Sequence, residues 1–363
     1  MRRRVLRVKP DLIRIKVKIT LETIIYKICG CEKDAEMLET AGKIFRDGGL
    51  VAFPTETVYG LGASALSITA AEKIYAAKGR PSDNPLIVHV AEPEEAENLA
   101  YTSPLYYKLA EKFMPGPLTV IMPKRDVIPE AVTGGLDTVA IRCPVHSGAR
   151  ELIRCAGVPV AAPSANRSGS PSPTSAAHVI ADMLGRVDMI IDGGESEIGV
   201  ESTVISIADG IITILRPGSV TEEMLREVCD KVVVDRAVTD LASVGAKPAS
   251  PGMKYKHYSP SAEVILVDAE SAESFAAYVN GNARDGDGVF TSKAEAASFS
   301  VKTLITGETG SVAELNHSLY SLLREADDLK LSRVFIRKPP AWGEHLALFN
   351  RLIRAAAGKI VKA

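Results

Sequence analysis

Thr203-Val204-Ile205-Ser206-Ile207-Ala208-Asp209-Gly210-Ile211-Ile212-Thr213-Ile214-Leu215-Arg216 decides the fold class. Thr203 to Ile207 and Ile211 to Leu215 are β-branched, apolar runs of strand length. Ala208-Asp209-Gly210 between them is a turn signal, because Asp and Gly accept the positive φ of a tight hairpin. Upstream the pattern is different: strands alternate with helices. Leu50 to Phe53 reads as a buried strand running into Pro54, followed by a helix over Ile68 to Ala77 and a strand over Leu86 to Val90. A helix over Tyr106 to Met114 ends at Pro115-Gly116-Pro117, and strands follow at Leu118 to Met122 and Thr138 to Ile141. Then come a helix over Gly148 to Cys155, a strand over Val158 to Ala161, a helix over Ser175 to Leu184 and a strand over Met189 to Ile191. Alternation of this kind implies parallel pairing, and the hairpin adds an antiparallel pair. The expected fold class is therefore α/β with a mixed sheet.

Beyond the hairpin, periodicity fades between about Ala237 and Pro260, where Pro248, Pro251 and Pro260 bracket a connector. A second α/β unit follows, with strands at Glu263 to Val267, near Val289 and at Arg333 to Ile336. Helices are expected over Ala272 to Val279, Ala313 to Ala326 and Leu346 to Ala357. The chain thus divides into a basic extension (1–21), a first domain (22–236), a linker (237–260) and a second domain (261–363). At 363 residues it is too long for one ordinary core, which agrees with this division.

Composition excludes several classes of protein. Apolar residues make up 46% and charged residues 24%, as in a water-soluble globular chain, and no apolar run reaches the length of a membrane span. A net charge of −2 and 5% aromatics supply neither the basic field nor the stacking rings of a dedicated RNA binder. Five scattered cysteines suggest a reducing compartment and buried thiols rather than a disulfide framework, and Cys29-Gly30-Cys31 lacks the spacing of a zinc knuckle. Residues 1–20 are the local exception, with eight Lys or Arg against Asp11 alone. From Ile13 to Ile19 apolar and basic residues alternate at a strand period. A basic edge strand or a loose extension is expected there, with an RNA-contacting arm as the other reading.

Two short clusters point to a ligand. Lys78-Gly79-Arg80-Pro81 sets two cations around a glycine, and two cations so close need an anion between them. A polyphosphate fits that need, since a guanidinium grips phosphate oxygens as a fork while an ammonium acts as a point charge. The glycine is expected to let backbone approach the ligand closely. Ser164-Ala165-Asn166, after an apolar strand, offers uncharged hydrogen bonds. Other groups agree: Thr55 and Thr57 supply hydroxyls, His89 lies on a strand beside the cationic loop, and Arg142 ends a strand where it can clamp a carboxylate. Ser202, Thr203 and Arg216 suit a polar anion. Gly60, Gly62 and Ala65 formally match a dinucleotide fingerprint, but Pro54 ends the preceding strand six residues too early. There is no Walker A loop, no metal-ligand spacing among the histidines and no Cys/His nucleophile pair. Such a set favours positioning and charge stabilisation, as in nucleotidyl or phosphoryl transfer.

In this order the motifs resemble the threonylcarbamoyl-AMP synthase family in its long two-domain form. They are Pro54-Thr55-Glu56-Thr57-Val58-Tyr59-Gly60-Leu61, the Lys78/Arg80 pair, Pro85-Leu86-Ile87-Val88-His89, Pro115-Gly116-Pro117-Leu118-Thr119, the Ser164/Asn166 pair and Glu201-Ser202-Thr203. The linker Ser250-Pro251-Gly252-Met253-Lys254-Tyr255-Lys256-His257-Tyr258-Ser259-Pro260 and the helix carrying Asn350-Arg351-Leu352 complete the resemblance. It implies a YrdC-like twisted mixed-sheet N-terminal domain and a smaller Rossmann-like α/β C-terminal domain. It also implies that ATP, L-threonine and bicarbonate give L-threonylcarbamoyl-adenylate and pyrophosphate in the cytoplasm. A tRNA threonylcarbamoyl transferase complex would use that product, with at most a weak tRNA contact by this chain. By the same resemblance Lys78 and Arg80 are catalytic and, with Asn84, Thr138, Ser164, Asn166, Ser172, Arg216 and Tyr255, hold ATP. Thr57, His89, Arg142, Ala162 and Ser202 shape the threonine pocket, and Mg2+ rides on the phosphates without dedicated side chains. The competing readings are an RNA-binding, translation-associated module and a carbamoyl transferase for another acceptor.

Overall fold

The computed structural model describes residues 12–15, 21–240 and 260–363. Two elements that were not expected, β2 (Thr23–Lys27) and α1 (Lys33–Arg46), lie between the basic segment and the strand expected at Leu50 to Phe53. In α1, Met37, Leu38, Ala41 and Phe45 form one buried stripe at helical spacing. The remaining strands of the first sheet are β1 (Leu12–Ile15), β3 (Val51–Phe53), β4 (Gly60–Ser64), β5 (Ile87–His89), β6 (Leu118–Pro123), β7 (Thr138–Arg142), β8 (Val160–Ala161), β9 (Met189–Asp192), β10 (Thr203–Ala208), β11 (Ile211–Arg216) and β12 (Val232–Val234). Among the described residues they form one sheet of order β1-β2-β9-β3-β4-β8-β5-β7-β6-β10-β11-β12. β2 runs parallel to β9, β5 to β7 and β6 to β10, whereas β3–β4, β6–β7 and β10–β11 are antiparallel. The sheet is mixed, as the hairpin required. Asp209 and Gly210 take φ of 50° and 71° in its turn. The basic N-terminal segment supplies an edge strand: β1 pairs antiparallel with β2.

Helices cover both faces. Val51 and Phe53 pack with α1 and α5 (Ser147–Ala156), while Ala52 between them packs with α2 (Ile68–Lys78), α3 (Pro104–Phe113) and α6 (Ala176–Met183), the two-residue period of a strand buried on both sides. β4 was not expected, because Gly-Leu-Gly-Ala-Ser has no polar alternation. It is buried throughout, and a Cβ on Gly62 would meet Phe45, Phe53 and Val160 at 2.8 Å. Gly60 and Gly62 are therefore strand residues opposite Phe53 and Val51, not a phosphate-binding turn.

The second sheet is parallel, of order β15-β14-β16-β13-β17, built from β13 (Glu263–Asp268), β14 (Asp287–Thr291), β15 (Lys302–Ile305), β16 (Arg333–Arg337) and β17 (Ile360–Lys362). α8 (Ala272–Asn282) covers one face; α9 (Val312–Asp328) and α10 (Leu346–Ala355) cover the other. Val58 and Val200 of the first domain belong to the same apolar cluster as α9 and α10, so the two domains share a core. The cysteine expectation needs correction. Cys143 is buried, but Cys155 and Cys229 are partly exposed, and the exposed Cys29 and Cys31 are joined as a disulfide. Gly30, at φ 74°, turns the chain so that the two meet, and the Asp34 carboxylate accepts the N–H groups of all three residues.

Candidate active site

The strand ends His89, Arg142 and Arg216 open onto one cleft. Its lining includes Thr57, Arg80, His89, Arg142, Ala162, Ser164, Asn166, Ser172 and Arg216, all expected from the sequence. Thr55, Tyr59, Gly60 and Glu201 join them.

One wall is built around a buried ion pair. Arg142 donates from Nη2 to Glu56 Oε1 at 2.6 Å, with side-chain exposures of 5% and 3%. Its Nε reaches the Gly116 carbonyl at 3.4 Å, so the guanidinium is fixed before any ligand arrives. With both partners buried, the pair is no surface salt bridge. His89 stands beside it, its Nδ1 3.2 Å from the Ile87 carbonyl and its ring edge-on to Phe53. Burial first, and the Arg142 charge second, push its pKa down to about 3, so the imidazole is neutral at neutral pH. Thr55 takes the turn-capping role: its hydroxyl donates to the Val58 carbonyl at 2.6 Å and lies 2.9 Å from the Thr57 hydroxyl. Ala162 closes this side.

The opposite wall carries the cations. Gly79 does not mark a close approach of backbone to ligand, as was expected. At φ 64° it is the left-handed residue that ends α2, with open space where a Cβ would stand. This geometry turns Lys78 inward. Its ammonium donates to the carbonyl oxygens of Ser164 and of Asn166, the latter at 2.7 Å, and is buried. Burial, with Arg80 adding to it, drives its pKa well below the ordinary lysine value. The two sequence clusters therefore meet through Lys78, which holds the 164–166 loop and is absent from the lining, while Arg80 lines the cleft. In that loop the Ser164 hydroxyl donates to Asn166 Oδ1 at 2.5 Å, and Asn166 Nδ2 donates to Ser170 O at 2.7 Å.

Asn84 is fully buried, yet neither Nδ2 nor Oδ1 has a hydrogen-bond partner among the described residues. A buried amide left unsatisfied on both atoms is costly unless something else completes it. Ser202 is buried behind the lining, its hydroxyl 2.8 Å from that of Thr119 and 3.1 Å from Arg216 Nη2. Thr138 stands at the opposite end of β7 from Arg142, half-buried and outside the lining. Tyr255 lies outside the described residues.

Sequence reasoning missed two carboxylates. Glu56 was quoted in a motif without a role; its position three residues into a loop gave no sign of a buried arginine 86 residues away. Glu201 is the other. Its Oε1 accepts the Ser172 hydroxyl at 2.6 Å, and its Oε2 accepts Tyr320 Oη at 2.8 Å and Arg351 Nε at 3.1 Å. Burial would raise its pKa, but Arg351, Arg216 and these hydrogen bonds outweigh burial and leave it below the ordinary glutamate value, hence ionised. Among the described residues, no helix is long and apolar enough to cross a membrane.

The family described as "Telomere recombination" matches residues 43–218, and the one described as "Threonylcarbamoyl-AMP synthase, C-terminal domain" matches 220–357. A Bacillus subtilis protein named threonylcarbamoyl-AMP synthase is 44% identical over 328 residues, 89% of this chain and 93% of its own. A Pyrococcus abyssi protein of the same name is 43% identical over 342 residues, 90% of this chain and 95% of its own. The crystal structure of P. abyssi Sua5 complexed with L-threonine superposes with a TM-score of 0.85 at 40% identity, covering 94% of this chain and all of that one. With both family matches in order along one chain, and identity above 40% across nearly its whole length, the chain belongs to the threonylcarbamoyl-AMP synthase family in its two-domain form.

Proposed function

We propose that this chain makes L-threonylcarbamoyl-adenylate and pyrophosphate from L-threonine, bicarbonate and ATP, for threonylcarbamoylation of adenosine in tRNA. The observation that carries the reading is a single cleft with two unlike walls. One has a fixed guanidinium, a neutral imidazole and a hydroxyl; the other has Arg80, Arg216 and serine hydroxyls. The threonine carboxylate would pair with Arg142, whose Nη1 donates to no described residue. Thr57 would meet its polar groups, Ser202 would act from behind by holding Arg216, and Ala162 leaves room for its methyl.

The threonine amine, once deprotonated, forms a carbamate, either by adding carbon dioxide and releasing a proton or by attacking bicarbonate with loss of water. A carbamate oxygen then attacks the α-phosphorus; the P–O bond to the β-phosphate breaks, and pyrophosphate leaves with the electron pair. Negative charge grows on phosphate oxygens in this step, where preorganised cations count most. Arg80 and Arg216 would supply that charge, with Ser164, Asn166 and Ser172 orienting the phosphates. Asn84, buried beside Arg80 with an unused donor and acceptor, would serve the nucleotide side, whereas Thr138, at the far end of β7, stands away from the cleft. Lys78 acts by holding the 164–166 loop.

Magnesium would be bound chiefly by phosphate oxygens. Glu201 is the carboxylate of the lining, and both of its oxygens already accept hydrogen bonds, which suits an ion brought in by the nucleotide. The product would pass to a tRNA threonylcarbamoyl transferase complex, which implies work in the cytoplasm. The test is release of pyrophosphate by the full chain with ATP, magnesium and bicarbonate, and the mass of the adenylate formed. Release that requires both L-threonine and bicarbonate supports the reading. ATP use indifferent to threonine would reassign the acceptor, and no ATP use would overturn it.

A further inference from the structure

The second domain reaches the wall of the cleft. Its helix α9 places Tyr320 and its helix α10 places Arg351 against Glu201, and both side chains are fully buried. Arg351 also donates to the backbone carbonyls of Glu201, at 3.2 Å, and of Pro217, which precedes the glycine packed against residues 201–203. Through its other oxygen, Glu201 holds the hydroxyl of Ser172.

The chain flanking Ser172 is held by the same domain. Arg324 of α9 donates to the Pro171 carbonyl at 2.5 Å and to Asp182 at 2.7 Å, and Ser321 lies 3.1 Å from the Thr174 hydroxyl. Contact is close enough to dictate residue type. Gly199 takes φ 82°, and a Cβ there would fall 2.5 Å from His317 Cα. At the other edge, Asn350 donates to the Val238 carbonyl at 2.6 Å and Arg354 to that of Ala237 at 3.0 Å, fixing the root of the linker.

We propose that Tyr320 and Arg351 are positioning residues for the nucleotide half of the cleft, acting on Ser172 through Glu201. The carboxylate is the junction. One of its oxygens is held by the second domain and the other holds a serine that lines the cleft. Neither Tyr320 nor Arg351 lines the cleft itself. The second domain is thus a structural wall of the site on the first, which gives the Asn350-Arg351 motif a role. The assignment of Ser172 to the nucleotide side rests on the function proposed above.

The test is a double-mutant cycle in the full chain, comparing Tyr320→Phe, Ser172→Ala and the two combined. KM for ATP, KM for L-threonine and kcat are measured from pyrophosphate release, with a melting curve for each protein. Tyr320→Phe removes one hydroxyl and should leave a folded protein. It is expected to raise KM for ATP roughly three- to tenfold, about the net effect of one ordinary hydrogen bond because the loss reaches the nucleotide only through Glu201 and Ser172, with KM for threonine changing less than twofold. In the Ser172→Ala background the same substitution should add no further change. Arg351→Lys, which keeps the charge and loses the fork, should shift the same constant in the same direction. Additive effects in the cycle would overturn the proposal, as would equal changes in both KM values or a lower melting temperature with unchanged kinetics. If the wild-type chain releases no threonine-dependent pyrophosphate, the function fails first. The cycle is then read from MgATP binding to the full chain, where an unweakened Tyr320→Phe protein sinks the positioning role by itself.

Discussion

Both sheets end in a crevice lined by polar groups, and the two differ in how those groups are spent. At the first sheet Arg142 and Arg80 line the cleft, and beside Arg80 the fully buried Asn84 amide has no described partner. At the second, Ser292, Thr306, Arg337 and Lys338 gather at the ends of β14, β15 and β16, facing the start of α9. There the chain has filled its own anion site. The N–H groups of Glu308, Thr309, Gly310 and Ser311 all donate to the carboxylate of Glu314, at 2.8–3.2 Å. Arg337 faces Glu295 at 3.8 Å, and Lys338 pairs with Asp268 at 2.7 Å. The Thr306 hydroxyl and His345 Nδ1 are the buried side-chain atoms of this crevice without a described partner. Strand ends and a helix start make an anion site only when their donors are unspent, and here a glutamate spends them. The second domain contributes to a ligand site through its other side, where α9 and α10 meet the first domain.

The largest expected effect comes from breaking the first crevice. Arg142→Ala leaves Glu56 buried and unpaired, a loss of about 3–5 kcal/mol in stability. Threonine-dependent turnover should also fall below detection. Urea unfolding and pyrophosphate release measure the two, and a stable, active variant would break the account of that wall. Arg80→Lys is next, costing on the order of 1.5–3 kcal/mol in kcat/KM through the lost guanidinium fork. Wild-type turnover would remove Arg80 from the phosphates.

Acid should separate the two domains. Burial holds His89 neutral, with a pKa of about 3, and His178 neutral, with a pKa of about 4, the nearby Arg142 and Arg324 adding to the effect. Both values lie below the ordinary 6.5, so their contribution to first-domain stability is complete above pH 6.5 and drains away as pH falls from 6.5 to about 4 for His178 and about 3 for His89. Glu314 in the second domain is held at about 2 by the Thr309 hydroxyl and the turn's N–H groups. Its contribution is present above its ordinary value of 4.5 and is lost only as pH falls through about 2. Hydrogen exchange at pH 5 should therefore show first-domain amides opening before those of the second. The reverse order would contradict these assignments. The smallest effect is Glu314→Gln. It should lower the melting temperature at pH 7, by an amount that shrinks toward pH 2, while KM for ATP stays within twofold; a large kinetic change would reopen the second crevice as a ligand site.

Local features of the fold were legible in the sequence. The Asp209-Gly210 turn and the strand runs around it fixed a mixed sheet, and the two cationic and polar clusters came together as a site. Long-range pairing was not legible. The order of the strands depends on contacts such as Ile24 with Met189, far apart in sequence. β4 carries no alternation because both of its faces are buried. Lys78 reads as a phosphate ligand from its charge and from the family resemblance; in the fold the left-handed Gly79 turns its ammonium onto backbone carbonyls, which no local pattern signals. The junction at Glu201 joins residues 150 positions apart, which no local pattern announces.

Titration of MgATP into the full chain, with L-threonine present, tests the central claim most directly. The account predicts one nucleotide per chain, bound more weakly when Ser172→Ala or Tyr320→Phe alters the shared wall and unchanged by Glu314→Gln. Two nucleotides per chain, or binding that responds to Glu314→Gln and not to the wall variants, would contradict it.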